Sequence, residues 1–259
     1  MAQPRGVILA AGRGVRMGGE RPKTLIPVGD KEPLLHYIVA GLRAAGVTDV
    51  LVVTGHRPGE IQEFMSANTQ GLEITYIRNT RFASWGNFHS VRLAVDQTPG
   101  VPLLVTNSDI VVGPDVYGRV LSTAGDLVLA VERCERLDPE DMRVELERDR
   151  VVAIGKNIKM MRSHGEFAGV SLLRPAAARS YSDVATDLEW TGSSDLYYED
   201  VYGMMLDRLD ARAAFVERGE YAEVDNPEDV PVAEAVITAH ADAWAKGRAG
   251  AAAGSGPDA

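Results

Sequence analysis

The first hundred residues alternate short β-branched apolar runs with longer stretches whose apolar residues recur at helical spacing. "GVILAAG" (6–12) predicts a buried strand ending in a glycine turn, and "PLLHYIVAGLRAAGV" (33–47) a helix. "DVLVVTG" (49–55) predicts a second strand, followed by a helix near 58–67. "LEITYIRN" (72–79) predicts a third strand with a helix at 87–96, and "VPLLVTNSD" (101–109) a fourth strand. Strands that alternate with helices predict a mostly parallel sheet covered on both faces. In such sheets the ligand lies beyond the carboxyl ends of the strands, so the polar strand ends "AAGRG" and "TNSD" are expected to face one cleft.

The pattern changes after residue 125. "DLVLAVERC" (126–134) and "GEFAGVSLLRP" (165–175) read as strands, and "RVELERDRVVAIGK" (143–156) as two strands joined by a charged turn. We expect residues 126–215 to form an antiparallel extension that closes over the cleft, within one domain spanning 1–247. "PEDVPVAEAVITAHADAWAKG" (227–247) predicts a terminal helix with Pro227 in its first turn. The small, polar stretch 248–259 is expected to be disordered.

Composition narrows the function. Hydrophobic residues make up 45% and charged residues 25%, as in soluble globular proteins. There are 27 basic against 37 acidic side chains, a net charge of −10, which argues against a nucleic-acid partner. Any anion binding must then rest on a few local cations. The single cysteine, Cys134, rules out intrachain disulfides and cysteine-rich zinc sites. "MAQPRG" leads into a strand without an apolar signal core, and no apolar run is long enough to span a bilayer. The expectation is a cytoplasmic enzyme without a membrane partner.

The stretch "LAAGRGVRMGGERPK" (9–23) carries the chemistry. No Gly-Lys-Ser/Thr follows its glycines, so it is not a Walker A loop. It also fails the dinucleotide fingerprint: Met17 stands where a third glycine is needed, and no acidic residue ends the second strand. What remains is a glycine loop whose N–H groups can wrap an oxyanion, followed by Arg16 and Lys23. Two cations beside such a loop suit charge developing on a triphosphate.

This stretch, extended through "TLIPVGDKEPLL", closely resembles the signature of the nucleotidyltransferase superfamily that makes nucleotide-diphosphate sugars and alcohols. The resemblance implies a GT-A-like α/β fold, a Rossmann-like three-layer αβα sandwich with a mostly parallel, mixed central sheet. It implies attack of an acceptor phosphate oxygen on the α-phosphorus of a nucleoside triphosphate, with pyrophosphate leaving. By position, Arg16 and Lys23 correspond to the catalytic pair that neutralises the triphosphate. Leu9, Ala10, Ala11, Gly12, Arg13 and Gly14 correspond to the nucleotide cradle, and Gly86, Asn87 and Ser90 to the segment contacting base and ribose. Asp109 and Asp225 stand where the family holds magnesium. Asp225 could alternatively cap the helix that follows it, and Asn87 and Ser90 could be ordinary polar groups of a helix start. His89 reads as structural.

The mid-chain "V-E-K-P" of the sugar-1-phosphate branches is missing around Lys156. "IGKNI", "GEFAGVSLL", "YYEDVY" and "YAEVDNPEDVPVAE" look instead like the phosphocholine and phosphonate cytidylyltransferase branch. That branch implies CTP as donor and a small phosphonate or phosphorylated alcohol or amine as acceptor. Lys156 would meet the acceptor's phosphorus group, with Glu166, Tyr198, Glu199 and Asp200 near its far end. Tyr197, Tyr198 and Trp190 could hold an ammonium group by cation–π attraction, or residues 197–202 could be an acidic turn with packed tyrosines. The rival branch is a UTP-, dTTP- or GTP-dependent sugar-1-phosphate nucleotidyltransferase. Whether the chain forms a homodimer stays open.

Overall fold

A computed structural model describes residues 3–14, 21–28, 32–69, 71–134 and 137–244. The chain runs through β1 (Arg5–Ala10), α1 (Leu34–Ala44), β2 (Asp49–Thr54), α2 (Pro58–Asn68), β3 (Glu73–Arg78), α3 (Phe88–Gln97) and β4 (Leu103–Asn107). These elements match the sequence pattern to within a few residues at each end. Then come β5 (Ile110–Val112), α4 (Pro114–Ser122), β6 (Leu127–Glu132), β7 (Arg143–Glu147), β8 (Arg150–Ile154), β9 (Gly165–Leu173) and α5 (Pro175–Thr191). The described chain closes with α6 (Tyr198–Met205), β10 (Ala211–Val216), β11 (Tyr221–Glu223) and α7 (Val230–Ala239).

Among the described residues, nine strands form one sheet in the order β3-β2-β1-β4-β9-β6-β10-β8-β7. Parallel pairing joins β3 to β2, β2 to β1 and β1 to β4, and also β6 to β10. β9 runs antiparallel between β4 and β6, so β6 and β10 point the same way as β1–β4. The sheet is thus mixed but mostly parallel, as expected. Its second half differs from the expectation of an antiparallel extension. β6, β9 and β10 lie inside the main sheet, and the antiparallel character is confined to β9 and to the β7–β8 hairpin at one edge.

Alternation along the central strands explains the layers. Val7 and Leu9 of β1, with Leu51 and Val53 of β2, face the core under α3, α5 and α6. Ile8 and Ala10, with Val50 and Val52, face the opposite core under α1, α2 and α4. Successive strand side chains point to opposite faces, so a strand apolar at every position must be covered on both. A third cluster under α7 buries Val28, Tyr37, Val224 and Trp244.

The terminal helix also departs from its expected bounds. Pro227 opens a short 3-10 turn (Pro227–Asp229), and α7 begins at Val230 with Pro231 in its first turn. A proline inside an α-helix would remove a hydrogen bond and clash with the preceding turn, so the regular helix starts here and not earlier. The tail 248–259 lies outside the described residues. No helix among the described residues is long and apolar enough to cross a membrane.

Candidate active site

One cleft of about 450 Å³ opens at the carboxyl ends of β1 and β4, lined by residues from both halves of the chain. Its walls include Leu9, Ala10, Ala11, Gly12, Gly14, Lys23, Gly86, Asn87, Ser90, Asp109, Lys156, Glu166, Glu199 and Asp225. Several residues singled out in the sequence stand apart. Arg16 lies outside the described residues. Arg13 is exposed and does not line the cleft, and neither do Tyr198 and Asp200.

The glycine loop and its cation are built as one unit. Gly14 has φ +58°, the left-handed region that favours glycine. Pro22 fixes the backbone entering a 3-10 turn, Lys23–Leu25, which aims Lys23 across the strand ends. Lys23 Nζ donates to Asp109 Oδ2 at 3.0 Å and also to Asp225 Oδ1. Burial alone would lower the Lys23 pKa, but Asp109 and Asp225 outweigh it and hold the value above the ordinary lysine range.

The two aspartates meet through a short ladder that the sequence pattern did not suggest. β5 pairs antiparallel with β11, Glu223 opposite Ile110, and the Val224 N–H donates to the Asp109 carbonyl at 2.8 Å. Two three-residue strands are too short to announce themselves by periodicity, yet they set this pair. The helix-cap reading of Asp225 is corrected. Asn226 is the cap, and the Asp229 carboxylate accepts the N–H groups of both Asp225 and Asn226.

Sequence reasoning also missed Glu223. Alternation along "YAEVD" puts Glu223 and Asp225 on the same face, and carboxylate oxygens of Asp109, Glu223 and Asp225 lie within 4.8 Å of one another. Asp109 Oδ1 is buried and accepts no hydrogen bond among the described residues. Three hard oxygen donors, one of them buried and unsatisfied, fit a magnesium ion. Glu223 is pushed up to about 7 by desolvation and by Asp109 and Asp225 beside it.

On the opposite wall, Gly86 has a packing reason for its identity. A Cβ there would lie 1.9 Å from the Leu196 carbonyl oxygen, and the Gly86 N–H donates to the Ser194 carbonyl at 2.6 Å. Asn87 stands at the cap of α3 without capping it; its Oδ1 accepts the Tyr198 N–H at 2.8 Å, tying α6 to α3. Ser90 is buried and accepts from Asn79 Nδ2 at 2.9 Å. Asn79, another residue the sequence did not flag, thus presents a fixed amide in the cleft wall. His89 holds Glu189 at 2.9 Å, and burial lowers its pKa.

The far end of the cleft corrects two assignments. Tyr198 is fully buried, packs edge-on against Phe167 and Tyr202, and donates to Asn107 Oδ1 at 2.8 Å. The Asp200 carboxylate accepts the Tyr197 N–H at 2.8 Å in a capping box at the start of α6. Both are used by the fold, which is the packed-tyrosine alternative. Trp190 is 91% exposed and away from the cleft. Of the three aromatics only Tyr197 lines it, with Lys156 Nζ 5.3 Å from its ring centroid and 3.2 Å from Glu140.

Two acids remain at this end. Glu199 is 4% exposed, and its Oε2 has no hydrogen-bond partner among the described residues. Burial pushes its pKa up to about 8, against the neighbouring Tyr198 hydroxyl and its own backbone N–H. Burial, then Asp141, Glu223 and Glu132, push Glu166 up to about 8 as well. Cys134 lies beside Glu132 and Glu166, and burial, with the Glu132 carboxylate next to it, pushes its thiol up to about 12.

A family model described as the MobA-like NTP transferase domain matches residues 6–179. A bifunctional IPC transferase and DIPP synthase of Rubrobacter xylanophilus is 33% identical over 236 residues, covering 89% of this chain and 51% of that protein. A CMP-5'-(3-aminopropyl)phosphonate synthase of Streptomyces rubellomurinus is 33% identical over 135 residues, 50% of this chain and 21% of that protein. The chain therefore spans about half, or less, of the length of these curated relatives. An inositol-1-phosphate CTP transferase structure from T. maritima superposes with a TM-score of 0.76 at 20% identity, over 92% of this chain and 97% of that one. That likeness establishes the Rossmann-like α/β fold.

Proposed function

The chain belongs to the MobA-like NTP transferase family, and from that premise we propose that it is a magnesium-dependent cytidylyltransferase. It would transfer CMP from CTP to a small phosphonate or phosphorylated alcohol or amine and release pyrophosphate. The observation that carries the reading is the placement of Lys23. Its ammonium lies between Asp109 and Asp225, in a cleft whose adjoining wall is the glycine loop 11–14.

In this reading the loop N–H groups and Lys23 hold the triphosphate, with Arg16 beside them as the resemblance implies. Asn79, Asn87 and Ser90 flank the base. Lys156 meets the acceptor's phosphorus group, and Glu166 and Glu199 line its far end. Asp109, Asp225 and Glu223 would hold the magnesium ion, which supplies charge neutralisation on the triphosphate when bound. The acceptor's dianionic oxygen is nucleophilic near neutral pH, so no side chain is assigned as general base. Catalysis then consists of positioning and charge neutralisation.

The choice of CTP is supported by the similarity to a CMP-5'-(3-aminopropyl)phosphonate synthase and by the shared fold with an inositol-1-phosphate CTP transferase. Phosphorus NMR of the product tests the reading. A CMP-linked phosphonate or phosphodiester anhydride is expected from CTP. A nucleotide-diphosphate sugar formed only from UTP, dTTP or GTP would replace it with the rival branch.

A further inference from the structure

The ammonium of Lys23 lies on the same carboxylates that fit a divalent ion. Nζ is 3.0 Å from Asp109 Oδ2 and in contact with Asp225 Oδ1, and the Lys23 side chain is only 14% exposed. The two aspartates and Glu223 bring their oxygens within 4.8 Å of one another, so there is one anionic pocket for two cations. The stem of Lys23 is fixed by its 3-10 turn and by the loop packed on its Cβ. Its distal methylenes can still rotate. The ammonium therefore has two counter-charges within reach: the aspartates on one side, and an anion seated at the glycine loop on the other.

We propose that Lys23 is an internal cation that occupies the carboxylate pair when no nucleotide is bound and competes there with the divalent ion. The inference rests on the reading of Asp109, Asp225 and Glu223 as the metal-holding residues. A triphosphate on the glycine loop draws the ammonium off the aspartates, and the ion enters as the lysine leaves. Metal and nucleotide then bind with positive coupling, because each removes a cost that the other would face alone. The carboxylates are never left without a cation. A divalent ion does not accumulate in the empty cleft.

The test is direct Mn2+ binding to the nucleotide-free, full-length chain, read as loss of the free-ion electron paramagnetic resonance signal. Lys23→Met keeps the stem and removes the charge, and it should bind Mn2+ at least tenfold more tightly than the natural protein. Adding Asp109→Asn to Lys23→Met should remove the gain. Lys156→Met, which deletes another cleft cation, should leave Mn2+ affinity within twofold. If Lys23→Met does not fold, Lys23→Gln carries the same expectation. An Mn2+ affinity within twofold of the natural protein in the Lys23 variant overturns the proposal. So does an equal gain from Lys156→Met, which would reduce the effect to bulk charge. The proposal and the CTP reading fail separately. A gain in Mn2+ affinity without CTP turnover sinks only the CTP reading, and CTP turnover without the gain sinks only the competition.

Discussion

A Cβ on Gly14 would lie 2.7 Å from the Cβ of Lys23. The glycine loop and Lys23 are therefore in backbone-level contact, and the glycine is required twice, for its φ of +58° and for this approach. Gly14→Ala should displace Lys23 as well as strain the loop. We expect a stability loss of about 1–3 kcal/mol and a fall in kcat larger than the fall for Gly12→Ala. A Cβ on Gly12 would meet nothing within 4 Å. Thermal melts and pyrophosphate release on both variants check this; equal effects would separate the loop from the lysine.

Lys23→Ala and Asp109→Ala should each lower kcat/KM by about 10²–10³ or more, the scale for removing a group aimed at developing charge in a water-poor site. Both variants should keep the far-ultraviolet circular dichroism of the natural protein, since neither side chain belongs to the apolar cores. Near-normal turnover in either variant would contradict the assignment.

Gly86 is expected to be intolerant for a reason unrelated to nucleotide. The alanine methyl would overlap the Leu196 carbonyl, at 1.9 Å, and push away the segment leading into α6. Gly86→Ala should cost about 1–3 kcal/mol by overpacking, measured by denaturant unfolding without any ligand. No loss would mean that this segment yields freely.

Tyr198→Phe separates a packing role from an acceptor role. The ring stays in the core, and the hydroxyl's bond to Asn107 is lost together with its contact to the Glu199 carboxyl. The expected result is a loss of about 1–2 kcal/mol of stability with the acceptor KM unchanged. A raised acceptor KM at unchanged stability would restore Tyr198 to the acceptor site.

Glu199 should give the nucleotide-free protein a falling stability profile between mildly acidic and mildly alkaline pH. Its folded pKa, about 8, lies above the unfolded carboxyl value. Between those values the folded state keeps a proton that the unfolded state has lost, so stability decreases as pH rises through this window. Glu166 and Glu223 contribute with the same sign, so Glu199→Gln should lessen the slope, raising Tm relative to the natural protein at pH 8 and changing it little at pH 5. A parallel profile in the variant would refute the assignment.

The alternating apolar runs up to residue 109 located the first four strands and placed "AAGRG" and "TNSD" at one cleft, because period and turn chemistry are local signals. The later elements carried weaker ones. α5 buries Ala177, Ala178, Tyr181 and Ala185, a stripe of mostly small residues that is easily read as loop. β5 and β11 have three residues each. Their pairing is a long-range fact, and with it went Glu223 as a third carboxylate. Tyr198 and Asp200 show the reverse failure. "YYED" has the residue types of a cation pocket, but helix capping and core packing use the same types. Only burial and hydrogen-bond partners tell them apart.

The most direct test of the functional account is pyrophosphate release with magnesium, crossing CTP, UTP, dTTP, ATP and GTP against single acceptors. Those acceptors are aminoethylphosphonate, hydroxyethylphosphonate, phosphocholine and a set of sugar-1-phosphates. The account predicts release with CTP and at least one of the first three, absent without magnesium. Release confined to another nucleotide with a sugar-1-phosphate would contradict it, keeping the fold and the Lys23–aspartate chemistry but reassigning the cleft around Lys156 and Glu199.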